Sequence, residues 1–379
     1  MKVGIVVPFS WSFVGGVNEH AELQAAALRQ IGIETRTIMG NDPPGTFTRA
    51  LHPRHGRHED PPDDVIPVGR SVIVPANGSL PNIVMTPRLI GRLRRVFAEE
   101  DFDILHLHEP MTPGICVATL ALWRGPSVAT WHAAGDLNWH RLGLTMWGFL
   151  MKRIDYRIAV SEQAKTSAAR WLPGDYDVIP NGTVIPLAAD PAGRDHTVVF
   201  IGRHDPRKGL SVLLEAWPAV HRHTGARLRV VGADPLAVRL LLARHRVSDA
   251  GIDVLGFISQ EDLTAELLRA KLLVAPAIGM ESFGMVLIRA FACAVPVVSS
   301  DIAGYRDVMT EETGVLVPPG EPPALADAIV ALLGDEGRRQ QFGTDARSLA
   351  TRLYSWDAIA ARLAEVYDST LRRVRRVAA

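Results

Sequence analysis

The sequence has only two cysteines, Cys116 and Cys293, and only five lysines in 379 residues. No run approaches the 18 or so apolar residues that a bilayer-spanning helix needs, so no transmembrane helix is predicted. The apolar start, Met1-Lys2-Val3-Gly4-Ile5-Val6-Val7-Pro8, is short and lacks a signal-cleavage pattern. It reads as a first strand. The two cysteines sit in apolar surroundings in different halves of the chain. That argues against a disulfide framework and for buried free thiols in a reducing cytosol. Formal net charge is zero, which excludes a whole-molecule field for nucleic acid or membrane. Positive charge is nearly all Arg, so any electrostatic recognition must come from local clusters.

What is present is an ordinary globular balance, 47% hydrophobic and 22% charged, which excludes disorder as the default. The length suits two domains. Short apolar runs alternate with helical patterns. Strands are expected at 2–7, 33–39, 103–107, 127–131, 156–160 and 176–179, with helices at 17–30, 86–99, 113–123, 141–152 and 162–171. A second alternation places strands at 197–201, 227–231, 252–255, 272–275, 296–299 and 315–317. Its helices are expected at 209–222, 235–246, 260–270, 284–294, 322–333 and 335–351. This rhythm predicts α/β units with parallel sheets covered on both faces. Residues 40–64, rich in Pro, Asp, His and Gly, read as a long loop. Residues 183–193, with two prolines and no helical period, read as the interdomain linker. A last helix is expected from Ser355 to about Val374.

Five stretches carry candidate chemistry. Gly15 and Gly16 follow the first strand, where glycines let backbone approach a phosphate at a helix N-terminus. The alternative is a tight turn, and the dinucleotide fingerprint Gly-x-Gly-x-x-Gly is absent. In Gly202-Arg203-His204-Asp205-Pro206-Arg207-Lys208-Gly209, Arg203 and Lys208 flank a turn at the first strand–helix junction of the second half. A planar fork and a point charge suit a diphosphate there better than a merely solvated basic turn. His132 ends the strand Ala129-Thr130-Trp131, where it can position a substrate or be structural. His106-Leu107-His108-Glu109-Pro110 invites a metal reading, but the established metal motifs are missing and a polar strand end is the better account. In 86–97, Thr86 is expected to cap a helix and Pro87 to open it. Arg88, Arg92 and Arg95 share one face of this helix, which fits either an anionic membrane surface or ordinary solvation. Aromatic interleaving is absent, so nucleic acid is a poor partner.

The segment Glu281-Ser282-Phe283-Gly284, between a strand and an apolar helical run, adds a carboxylate and a hydroxyl beside free helix N–H groups. It resembles the donor-sugar motif of family 4 retaining glycosyltransferases, which have the GT-B fold. Within that family the chain resembles the actinobacterial phosphatidylinositol mannosyltransferases. The likeness rests on Gly15-Gly16-Val17, Pro75-Ala76-Asn77-Gly78-Ser79, the basic helix, Asp101 to Pro110, and Ile179-Pro180-Asn181-Gly182. It implies two Rossmann-like doubly wound domains facing a central cleft. They would span 1–184 on the acceptor side and 196–354 on the nucleotide-sugar side, with a helix at 355–379 packing back on the first domain.

The resemblance also implies roles. Gly15, Gly16, Arg203 and Lys208 would hold the donor diphosphate, and Ile258 would border the base. Glu281, Ser282, Phe283 and Gly284 would hold the sugar, with His132 and Glu281 as the catalytic pair. Asn18 and Arg70 would face the acceptor, with Arg88, Arg92 and Arg95 toward a membrane. The implied substrate is a nucleotide-sugar, GDP-mannose first. No metal is implied for the chemistry, and Mg2+ is left open. The expected enzyme is cytoplasmic, or peripheral on the inner face of the plasma membrane, and a monomer or weak dimer. A soluble acceptor and a non-catalytic binding role are the alternatives. The sequence differs from the resembled group at Asn18, at Ala133, Ala134 and Leu137 after the His, and at Met280. Arg289 stands where the family's second Glu is usual, eight residues after Glu281.

Overall fold

Val3, Ile5, Val6 and Val7 are fully buried, as a parallel strand covered on both faces requires. They belong to β1 (Lys2–Ser10), the centre of the first of two sheets. The computed structural model describes residues 1–13, 15–45, 48, 60–74, 82–133, 148–187, 189, 193–279 and 281–378. The chain divides into two units, Met1–Gly182 with Trp356–Ala379, and Thr183–Ser355.

In the first unit, β1 is joined by β2 (Glu34–Gly40), β3 (Val65–Gly69), β4 (Ser71–Ile73) and β5 (Asn82–Val84). β6 (Ile104–His108), β7 (Ser127–Trp131), β8 (Tyr156–Ala159) and β9 (Asp177–Val178) follow. The main path runs β3-β2-β1-β6-β7-β8-β9, all parallel. β5 adds antiparallel pairs to β1 and β4. Helices α1 (Gly16–Gln30), α2 (Leu89–Glu99), α3 (Ile115–Leu122) and α4 (Glu162–Trp171) cover the sheet. Leu93, Ile115 and Ala164 fill one face. On the other, Ala21 and Leu28 of α1 meet Ile359 and Leu363 of the C-terminal helix, Trp356–Ala378.

The second unit holds β10 (Asp195–Ile201), β11 (Arg227–Val231), β12 (Ile252–Gly256), β13 (Ala270–Ala275), β14 (Val297–Ser300) and β15 (Gly314–Val317). Its six-stranded order is β12-β11-β10-β13-β14-β15, every pair parallel. The helices are α5 (Leu210–Thr224), α6 (Pro235–His245), α7 (Gln260–Arg269), α8 (Met285–Ala292), α9 (Ala303–Arg306), α10 (Pro322–Gly334) and α11 (Glu336–Leu349). Arg194, 9% exposed, donates to the carbonyls of Leu267, Ala270, Cys293 and Ala294. It thereby caps chain ends that burial would otherwise leave unsatisfied. Each unit is thus doubly wound. Strand order reverses between β1 and β6 in one and between β10 and β13 in the other, which is where such sheets take ligands.

Several expectations need correction. β3, β4 and β5 are absent from the sequence reading because they are short and carry Pro67, Gly69 or no alternation. The basic helix α2 starts at Leu89, with Arg88 as its N-cap and Thr86 and Pro87 in the preceding turn. The four-residue helix α9 has too few residues to show a period. The C-terminal helix runs to Ala378, past Val374. Thr183, placed in a linker, donates its N–H to the Tyr354 carbonyl at 2.7 Å and bridges Ser355. Of the helix expected at 141–152, residues 148–151 are helical and 141–147 lie outside the described residues. Pro75 to Ser79, Ala134, Leu137 and Met280 also lie outside them. Cys116 and Cys293 are buried free thiols. No helix among the described residues is long and apolar enough to cross a membrane.

Gly209 shows what positions the second unit's loops. Its φ is +69°, and an added Cβ would sit 1.8 Å from the Pro276 carbonyl oxygen. Backbone after β10 therefore lies directly on backbone after β13. Gly209→Ala is expected to destabilise this unit by about 1–3 kcal/mol. Gly334→Ala, where an added Cβ meets nothing within 4 Å, is expected to be near neutral. Urea unfolding of both variants checks this.

Candidate active site

At the carboxyl ends of β6 and β7, polar side chains are buried together in the first unit. His106 is fully buried. Its Nδ1 lies 2.6 Å from the Tyr367 hydroxyl and 3.1 Å from Gln24 Nε2, and its Nε2 lies 2.7 Å from Thr130 Oγ1. Burial pushes its pKa down to about 3, so it is neutral. Gln24 Nε2 has only protons to give, so Nδ1 accepts and Nε2–H donates to Thr130. The His108 ring stacks on it at 4.8 Å between centroids.

His132, just past β7, is held twice. Its ring Nε2 is 2.8 Å from His108 Nδ1. Its backbone N–H, and that of Ala133, donate to Glu109 Oε1 at 2.7 Å each. Burial pushes His108 and His132 well below the ordinary imidazole pKa, and neighbouring imidazoles add to the shift. Burial raises the Glu109 carboxyl, and the two backbone N–H groups counter that. Glu109 itself has φ +49°. A non-glycine residue in this region costs of order 1–3 kcal/mol, which its two short bonds offset. The His-x-His-Glu stretch is the expected polar strand end, and it is also buried, with His106, His108 and Glu109 each in an interior contact.

The other expected residues of this unit separate. Gly15 and Gly16 are exposed, and α1 starts at Gly16 with no side-chain cap. The N–H groups of this first turn are free of side-chain competition. Asn18 is 2% exposed and donates its amide to the carbonyls of Ser10 and Phe13. It therefore braces the loop after β1 rather than presenting that amide outward. Arg70, Arg88, Arg92 and Arg95 are exposed. Arg92 also donates to the Val68 carbonyl at 3.2 Å. Leu89, Leu93 and Val96 form the buried side of the same helix.

In the second unit, the loop after β10 and the loop after β13 converge. Lys208 Nζ lies 2.5 Å from Glu281 Oε1, with side chains 27% and 14% exposed. Ile278 N–H donates to the Arg207 carbonyl at 2.8 Å. Asp205 caps the short turn Pro206–Lys208 and holds the Arg207 guanidinium in a fork. That bond keeps the Asp205 carboxyl below its usual range. Arg207 is thus used internally, while Arg203 is exposed. Gly284 has φ +90° and opens α8 with no side-chain cap. Phe283 is buried, and Ser282 and Ile258 are partly buried. Gly304 lets the Glu281 backbone approach, since a Cβ there would meet its carbonyl oxygen at 2.1 Å. Arg289 lies in α8 and is partly buried.

Sequence reasoning missed His20, Gln24 and Tyr367. His20 and Gln24 stand one turn apart on α1, a spacing visible in sequence, but nothing local relates either to Tyr367. The Glu109 bonds to the backbone after β7 also left no local signal.

This pair of doubly wound units matches solved glycosyltransferases of the GT-B fold. Sucrose-phosphate synthase from Thermosynechococcus elongatus superposes with a TM-score of 0.72 at 21% identity, over 97% of this chain and 98% of that one. Anabaena HepE, solved in complex with UDP-glucose, gives 0.71 at 19% identity over 97% and 100%. Residues 14–185 match the family described as Glycosyltransferase Family 4, and residues 195–335 match Glycosyl transferases group 1. The protein is a glycosyltransferase. The phosphatidyl-myo-inositol mannosyltransferase of Mycobacterium leprae is 34% identical over 97% of both chains. That of Mycolicibacterium smegmatis is 32% identical over 97% of this chain and 94% of its own. The chain belongs to the family 4 glycosyltransferases, among the phosphatidyl-myo-inositol mannosyltransferases.

The Glu109 arrangement yields a discriminating pair of variants. Both backbone N–H groups go to a single oxygen, which a Gln carbonyl can reproduce. Glu109→Gln is expected to stay within about 1 kcal/mol of wild-type stability, and Glu109→Ala to lose about 2–4 kcal/mol. Chemical denaturation distinguishes the two.

Proposed function

We propose that this enzyme transfers a mannosyl group, with retention, from GDP-mannose to a phosphatidylinositol-type lipid. The observation that carries the reading is its likeness, over nearly the full length of both chains, to enzymes named for that acceptor. HepE, a fold neighbour, was solved with a nucleotide-sugar, which supports a donor of the same kind.

The roles follow from charge and position. Arg203 and Lys208 face the donor diphosphate and neutralise the charge that grows on it as the sugar leaves. Glu281 can only accept hydrogen bonds, so it takes sugar hydroxyls while Lys208 holds its other side. The uncapped start of α8 adds backbone donors. His132 is the first unit's contribution to the transfer step, its ring set by His108 and its backbone by Glu109. Arg289 can only donate, so it meets ribose oxygens or a phosphate as a donor.

The exposed arginines of α2 support a lipid surface. Arg88 and Arg92 lie at the helix's positive N-terminal end, and its first turn has no acidic residue. Such placement costs helix stability, so the cluster is better explained by an anionic partner. Arg70 stays with the acceptor side in this reading, and Asn18 supports that side only by bracing the loop after β1. The enzyme works as a peripheral protein on the cytoplasmic face, without a metal in the chemical step.

The direct test offers radiolabelled GDP-mannose with phosphatidylinositol in anionic vesicles. Label in the lipid phase supports the proposal. Transfer to water-soluble sugars alone overturns the lipid acceptor. Lys208→Ala and Arg203→Ala are each expected to weaken donor binding by about 1.5–3 kcal/mol in calorimetry. Nucleoside monophosphate binding should change less. Replacing Arg88, Arg92 and Arg95 together by Gln is expected to remove about 3 kcal/mol of vesicle affinity at low salt, at about 1 kcal/mol per charge. Co-sedimentation measures it.

A further inference from the structure

The buried histidines of the first unit do more than position one another. His20, on α1, is 7% exposed, and His108 is fully buried. With His132 they bring one ring nitrogen each within 4.8 Å of one another. Gln24 fixes the tautomer of His20. Its Nε2 faces His106 and Tyr367, so its Oε1 faces His20 Nε2 at 3.2 Å. That oxygen can only accept. His20 Nε2 therefore carries the proton, and Nδ1 presents a bare lone pair. This Nδ1 is buried with no hydrogen-bond partner.

The His108–His132 contact adds a second lone pair whichever way its proton lies. If His108 Nδ1 donates, His108 Nε2 is bare, and it too is buried without a partner. If His132 Nε2 donates, His132 Nδ1 is bare. Asn181 is buried as well, and its carboxamide lies beside His20 and His132. Buried polar atoms without partners are uncommon and costly. Ring nitrogens with unshared lone pairs, gathered in one buried cluster, make a site for a cation.

We propose that His20, His108 and His132 form a binding site for a divalent metal ion of the zinc type. Neutral imidazoles with no thiolate and no carboxylate in the set suit Zn2+ over Mg2+ or Ca2+. Burial already holds all three rings in the neutral, ligating form. A tetrahedral zinc with bonds of about 2.0–2.1 Å sets its nitrogens about 3.4 Å apart, so the ion replaces the His108–His132 hydrogen bond and the rings adjust around it. The His20 Nε2–H bond to Gln24 is the outer hydrogen bond that ligating histidines make. Asn181 Oδ1 or a water completes the fourth position. A bound ion takes lone pairs from the histidine that the mannosyltransferase reading assigns to the transfer step. Zinc then acts as an inhibitor of transfer. That last consequence rests on the proposed function, but the binding does not.

The test uses the full chain without a histidine tag, stripped with chelator and titrated with Zn2+ against a chromogenic chelator. One tight zinc per chain is expected. His20→Phe keeps a ring and removes both nitrogens. His108→Asn keeps an amide toward His132 and removes Nε2. Each should weaken zinc binding by more than about 100-fold, and Gln24→Met by about 10- to 100-fold. Binding that is absent in the wild type, or unchanged in folded His20→Phe and His108→Asn, overturns the site. Should those variants fail to fold, Co2+ decides with the wild type alone. Strong visible bands of a tetrahedral ion support the site, and the weak bands of a hydrated ion overturn it. Lipid mannosylation assayed with and without Zn2+ separates the claims. Zinc bound with transfer unaffected keeps the site and removes His132 from the reaction.

Discussion

The imidazole of His106, buried between the Tyr367 hydroxyl and Thr130 Oγ1, ties the first unit together. It is fully buried, so each of its nitrogens needs a partner. The partners come from β7 and the C-terminal helix, with Gln24 of α1 closing the group. Strands β6 and β7 are thereby locked beneath two helices that lie far apart in sequence. His108, Glu109 and His132 occupy the next layer toward the carboxyl ends of those strands, and their geometry depends on that lock. The C-terminal helix is therefore as much a part of the candidate site as the strands that carry its residues.

The second unit reaches a comparable precision by close backbone approach. Gly209 lets the loop after β10 rest on the Pro276 carbonyl, and Gly304 admits the backbone at Glu281. Lys208 and Glu281 then meet at 2.5 Å although 73 residues separate them. A diphosphate and a sugar need cationic donors and a carboxylate near one another, and glycines make that spacing possible. The same strand order in both units puts each group of residues at a reversal of the sheet.

Much of this was legible in the sequence. Long apolar runs such as Val3 to Val7 and Leu272 to Ala275 declared their strands, and the motif at Glu281 declared the family. The short strands β3 to β5 did not, because three residues in β4 and β5, or five interrupted by Pro67 and Gly69 in β3, carry too little pattern. Thr86 and Pro87 gave a good start signal for α2, but the helix begins at Leu89 after a turn. Among the site residues, those near a strand end were found, while those acting across the fold were not. His20, Gln24 and Tyr367 are joined by tertiary packing, and no local period encodes that. The HLHEP stretch does end a strand, as expected, but only the covering helices reveal that its polar residues are buried.

We propose that His132 is a catalytic group rather than a packing residue. One backbone bond to Glu109, a second from the adjoining Ala133 N–H, and a ring contact with His108 fix its backbone and ring, and burial keeps it neutral. A group that acts at a reacting carbon lowers the barrier more than it holds the donor. The most direct measurement is the steady-state turnover of His132→Ala together with its calorimetric donor affinity. Turnover about 100- to 1000-fold lower, with donor affinity within a few-fold of wild type, is the predicted result. Unchanged turnover in a folded His132→Ala enzyme would contradict the account.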